Sequence, residues 1–177
     1  MHTQTLDLAG STPGLRHSLR VLHFGPARGP KATLQAALHA DEVPALLVAQ
    51  ALRQRLQRLE AEGQLLGHVQ LLPWANPLGL AQHLLGHHLG RFDLRDGLNF
   101  NRGNAELTTA AAAQLRGRLG DDASANVRHV RRALAEAAGA LTADTPAQDL
   151  KRRLLQLAVD SDVVLDLHCD SQAVMHL

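Results

Sequence analysis

The stretch from Lys31 to Ala75 leaves this chain few ways to fold. It opens on a short apolar run, KATLQAALHA (31–40), continues as VPALLVAQALRQRLQRLEAE, and closes on a second apolar run, GHVQLLPWA (67–75). From about Val43 to Glu62, Leu and Val recur at helical spacing with Arg and Gln opposite. Pro44 sits where a first helical turn tolerates proline, and Gly63 ends the pattern. Strand, helix and strand in succession predict neighbouring parallel strands with the helix packed across them.

The rest of the chain extends that unit. Residues 17–24, HSLRVLHF, read as an earlier strand, and GPARGP supplies the turn after it. Asn76-Pro77 reads as a turn, and residues 78–104 as loop, punctuated by glycine. Helices are expected over 105–118, over 123–139 with Asp121 or Asp122 as cap, and over 145–160 from Thr145-Pro146. DVVLDLH (162–168) is the last expected strand. The expected class is α/β, with a mixed, mainly parallel sheet flanked by helices. A length of 177 residues suits one domain. Aromatic residues are only 2%, with no Tyr, so Leu, Ala and Val must fill the core.

Net charge is +1, which implies no electrostatic preference for nucleic acid or anionic membranes. The lone Cys169 excludes an internal disulfide framework and fits a reducing compartment. No secretory pattern opens the chain and no apolar run is long enough to span a bilayer, so the expected location is cytoplasmic.

Chemistry concentrates where expected strands end. His39 and Glu42, in LHADE, lie on the turn that closes 31–40, where residues three apart can converge. His168, in LDLHCD, closes the last strand, and Asp166 shares its face. Two His and one Glu form a three-ligand zinc set with a position left for water. Either part alone is weak, because H-x-x-E arises often by chance and a strand-end histidine is usually packed; together they carry more. His83, His87 and His88 form another cluster, but Gly86 and Gly90 argue against the helix that would align them, and a surface or pocket-rim cluster is the expectation. Cys169 is expected to be a buried structural residue facing away from His168, and the Arg pairs 131–132 and 152–153 to be solvated helix faces.

Between the two halves of the ligand set lie Asn76-Pro77, Gly90-Arg91 and Asn99-Phe100-Asn101-Arg102. Four elements, His39/Glu42, Asn76-Pro77, Asn101-Arg102 and Asp166-x-His168, stand in the order found in the succinylglutamate desuccinylase/aspartoacylase family, within the wider zinc-carboxypeptidase superfamily. The chain resembles that family from roughly residue 17 to 177. The resemblance implies zinc, Zn²⁺, on His39, Glu42 and His168, with the substrate carboxylate held by Asn101 and Arg102. It also implies an upstream Arg at the oxyanion or the substrate. Arg91 and Arg95 both qualify by spacing, and Arg91 is preferred for its GRFD setting. Ala40 replaces the family's usual Gly, and Asn99 replaces an Asp.

The implied activity is zinc-dependent hydrolysis of an amide bond next to a free carboxylate, with N-acyl amino acids as favoured small-molecule substrates. Peptide cleavage by a carboxypeptidase is one rival. The other is a catalytically inactive metal-binding fragment, because the family's general-base Glu lies on a later strand and no Glu follows His168. Residues 1–177 are accordingly expected to be the N-terminal part of a single catalytic domain, with VVLDL left as an apolar edge.

Overall fold

The computed structural model describes residues 1–10 and 12–169; the end of the expected 1–177 unit, residues 170–177, lies outside them. Five strands form one sheet: β1 (His2–Asp7), β2 (Ser18–Phe24), β3 (Lys31–Ala36), β4 (His68–Leu72) and β5 (Val163–Leu167), in spatial order β1-β2-β4-β3-β5. The β1/β2 and β2/β4 pairs are antiparallel, whereas β3 runs parallel to both β4 and β5. The sheet is therefore mixed, and its parallel half carries the candidate ligands.

The strand–helix–strand unit forms as its pattern dictates. Helix α1 (Pro44–Ala61) begins on its proline, and Gly63, at φ +68°, reverses the chain after it. Alternation along the strands sends side chains to two cores. On one face, α1 packs Ala45, Ala49 and Leu56 against Leu22, Phe24, Ala36 and Leu71. On the other, Leu19, Val21, Leu38 and Leu72 meet Phe100, Leu150 and Leu154. The last two belong to α5 (Pro146–Ala158), which opens with a Thr145/Gln148 capping box. A third cluster joins α5 to α4 (Ala123–Gly139), which Asp122 caps; α3 (Thr108–Leu115) precedes it.

Several local expectations change. Strand β1 was not anticipated from the sequence, because HTQTLD has no apolar repeat; it pairs along the edge of β2 instead. The 31–40 run stops being a strand at Ala36. Asn76-Pro77 opens a short helix, α2 (Pro77–Leu80), and the buried Asn76 accepts from Gly79 N–H while donating to Leu38 O at 2.8 Å. His83–Leu84 and His87–His88 pair as a small hairpin whose turn, Leu85-Gly86, has both φ angles positive. Its His83 and His88 rings stack face to face, 4.6 Å apart at 8°, so His83 and His87 do not share a helix face. Arg152 and Arg153 are not simply solvated: both reach Asp149, a fully buried carboxylate that also accepts from Ala9 N–H. Cys169 is half-buried rather than buried. Among the described residues no helix is long and apolar enough to cross a membrane.

Candidate metal centre

The register of the sheet brings the candidate ligands together. Ala36 pairs with Leu167, so the chain leaves β3 and β5 side by side at their C-terminal ends, the usual place for a ligand site on a parallel sheet. After β3 the buried Ala37 takes φ +57°, unusual for a residue with a Cβ, and turns the chain into the loop that carries His39. Glu42 N–H donates to His39 O at 3.1 Å, closing the H-x-x-E turn. Asn76 fixes this loop from below through Leu38 O. Gly90 fixes it from above: its carbonyl accepts from Ala40 N–H at 2.9 Å, and a Cβ on Gly90 would come within 2.2 Å of Asp41 N.

His39, Glu42 and His168 each offer a ligand atom, and the three atoms lie within 4.8 Å of one another. His39 Nδ1 is 3.1 Å from Glu42 Oε1, and His168 Nδ1 is 2.7 Å from Glu42 Oε2. The outward nitrogens have partners of their own. His39 Nε2 lies 3.2 Å from Asn99 Oδ1, and His168 Nε2 lies 2.6 Å from Asp166 Oδ2. Both partners can accept from an Nε2–H, the tautomer that leaves the Nδ1 lone pair facing inward when a metal is bound. Two imidazole nitrogens and a carboxylate oxygen suit a borderline divalent metal, so the residues present fit such an ion.

The electrostatics agree with that arrangement. Burial pushes the Glu42 carboxyl upward, but the Cys169 N–H at 3.0 Å and His168 outweigh it and hold the group below the ordinary glutamate value. Burial likewise disfavours a charged His168, yet Asp166 and Glu42 together raise it above the usual imidazole range. Asp166 Oδ1 is buried without a hydrogen-bond partner among the described residues.

The two upstream arginines part company. Arg91 donates from Nη2 to Glu42 Oε1 at 2.9 Å, with Nη1 3.2 Å from His39 Nδ1. Arg95 closes instead on the buried Asp93, donating to its two oxygens at 3.1 and 2.9 Å. Asn101 Nδ2 is 3.0 Å from His168 Nε2 and 3.4 Å from Asp166 Oδ2. Arg102 is exposed at the loop rim and donates to Asn101 O at 2.7 Å. The neighbours that sequence reasoning did not place are Asn99, beside His39, and the Cys169 N–H on Glu42. Asn99 was visible only as a departure from a pattern, and a backbone donor leaves no signal in side-chain identity.

Comparison with known proteins follows the same lines. The model of the succinylglutamate desuccinylase/aspartoacylase catalytic domain matches residues 28–177. A solved family protein from Shewanella amazonensis SB2B is 30% identical, with TM-score 0.84, over 96% of this chain and 47% of its own. A second, from Shewanella frigidimarina NCIMB 400, is 27% identical, with TM-score 0.74, over 96% of this chain and 46% of its own. The chain thus spans about half the length of these solved relatives. No curated protein matches it.

Proposed function

The chain belongs to the succinylglutamate desuccinylase/aspartoacylase family, and from that premise we propose that its site serves zinc-dependent hydrolysis of an amide bond next to a free carboxylate. N-acyl amino acids are the favoured substrates. The observation that carries this reading is the convergence of His39, Glu42 and His168, with each histidine's outer nitrogen held by an acceptor. The family is that of succinylglutamate desuccinylases and aspartoacylases, and the donor set supports zinc.

In this reading His39, Glu42 and His168 hold the metal. Zinc there supplies Lewis-acid chemistry, polarising a carbonyl and making water nucleophilic near neutral pH. Asp166 and Asn99 keep the two imidazoles oriented. Arg91 brings a cation beside Glu42, where it stabilises negative charge developing on the carbonyl oxygen. Asn101 and Arg102 take the substrate carboxylate, for which a planar guanidinium is the apt partner. Glu60 is engaged by Gly25 N–H and the amino terminus, and Glu106 accepts from Thr108 and Thr109 N–H at the start of α3. In this proposal the water's proton is assigned to neither of them.

The test is hydrolysis of N-acetyl and N-succinyl amino acids against a dipeptide with a free C-terminus, in the protein encoded by the full reading frame, with and without a chelator. Deacylation that the chelator removes, and that Arg91→Ala lowers by about 10²–10³-fold in kcat, is expected. Cleavage of the dipeptide alone would replace deacylation with peptidase activity, and chelator-resistant turnover would contradict the metal reading.

A further inference from the structure

We propose that His23 and His68, joined by His2, form a second metal site on the sheet, one that takes a divalent ion favouring square-planar nitrogen ligands, Cu²⁺ above Ni²⁺. The site stands independently of the hydrolase reading. The register of the sheet sets its position. His2 on β1 lies directly opposite His23 on β2, and His23 pairs with Gln70 of β4, two residues on from His68. Paired residues and residues two apart share a face, so the three imidazoles and Gln4 stand together. It is the face on which Leu6, Val21 and Leu72 enter the core, but at the end of the sheet where β3 and β4 begin. The His39, Glu42 and His168 centre lies past the other end of β3, and the two sites share no residue.

The pair already has the spacing of a chelate. His23 Nδ1 lies 3.0 Å from His68 Nε2, with the rings stacked 5.2 Å apart at 18°. Imidazole nitrogens roughly 2.0–2.1 Å from an ion stand roughly 2.9 Å apart at a right angle, and roughly 3.3 Å apart at the tetrahedral angle. The observed spacing fits the right angle, which Cu²⁺ and Ni²⁺ adopt with such ligands, and Cu²⁺ stands highest in the affinity order of divalent metals. An ion there takes the place of the proton that a contact between two ring nitrogens requires.

The surroundings suit a ligand pair. Gln4 Oε1 lies 3.2 Å from His23 Nε2 and can accept from an Nε2–H, the tautomer that turns the Nδ1 lone pair toward His68. His23 and His68 are half-buried, which leaves an ion a path from solvent. His2 is exposed with its ring centroid 5.1 Å from that of His23, so a turn of its side chain brings it to the same ion. Lys31, the cation nearby, is held by Asp160 at 2.8 Å. A bound ion ties the edge strand β1 to β2 and β4.

The test is titration of the chain with Cu²⁺ alone in a His39→Ala background, which removes the first centre, read by electron paramagnetic resonance and thermal melting. About one Cu²⁺ per chain should bind tightly, give a tetragonal spectrum split by imidazole nitrogens, and raise the melting temperature. His23→Gln and His68→Gln should each abolish that spectrum with circular dichroism unchanged. His2→Gln should weaken binding without abolishing it, and Ni²⁺ should compete only weakly. A parent that binds no copper, or copper held equally in all three variants, would overturn the proposal. So would copper lost in His2→Gln alone, which would place the ion on the amino-terminal segment instead of the pair.

Discussion

His168 has a carboxylate at each ring nitrogen, Glu42 at 2.7 Å and Asp166 at 2.6 Å. A metal ion held at His168 Nδ1 would take the place of a proton facing Glu42, with Asp166 still orienting the ring through Nε2. Asp166→Asn should therefore weaken zinc binding by about 10–100-fold, the usual effect of removing a partner that orients a ligand; competition with a chromophoric chelator measures it, and unchanged affinity would remove Asp166 from that role. A different histidine sets an acid limit. His23 Nδ1 lies 3.0 Å from His68 Nε2, and His23 Nε2 lies 3.2 Å from Gln4 Oε1. Burial, then the neighbouring His68, His2 and Lys31, lowers His23 from 6.5 to about 4. The unfolded chain takes up this proton near pH 6.5 and the folded chain does not. Stability should thus be full above about pH 6.5 and decline as pH falls toward about 4. Thermal melts across that window should show the decline in the parent chain and a shallower one in His23→Gln; identical slopes would exclude His23. At this scale the clustered candidate ligands stood out in the sequence because each lies just past an apolar run. Arg91 and Arg95 were not separable by spacing, since only the fold shows that one reaches Glu42 and the other closes on Asp93.

The loop from Gly90 to Arg102 acts as one element. Phe92 and Asn99 form an antiparallel bridge, and Asp93 receives Arg95 while its N–H donates to Leu98 O at 2.8 Å. This clip presents Arg91, Asn99 and Asn101 from one short segment, and Gly90 seats it on the His39 loop. Because a Cβ there meets Asp41 N and Ala40 C, Gly90→Ala should push the two loops apart, at a cost of about 1–3 kcal/mol. Urea unfolding and zinc affinity should both fall; a variant equal to the parent in both would show that the approach is not needed. Helices with a cap and an apolar stripe were readable in advance, as Thr145-Pro146 and Gly63 illustrate. Strand β1 and the His83–His88 hairpin were not, because their pairing comes from a neighbouring strand and from backbone angles at Leu85-Gly86.

At the scale of the whole molecule, the outermost described strand on the parallel side of the sheet is the apolar β5. Among the described residues β5 pairs only with β3, and Val163, Val164 and Leu165 are 57%, 45% and 40% exposed. An exposed apolar edge of this kind invites pairing with another chain. The 177-residue chain should therefore self-associate with rising concentration, and Val164→Lys should suppress this in light scattering; a parent chain that stays monomeric throughout would contradict it. The α/β class and the strand ends that carry the candidate ligands could be read from sequence patterns, whereas the even mixture of parallel and antiparallel pairs depends on long-range register.

The central claim is that His39, Glu42 and His168 form one metal centre, and elemental analysis of the purified chain tests it most directly. About one zinc per chain is predicted, lost in both His39→Ala and His168→Ala while circular dichroism is retained. A folded parent chain that holds no zinc after reconstitution, or variants that hold as much as the parent, would contradict it.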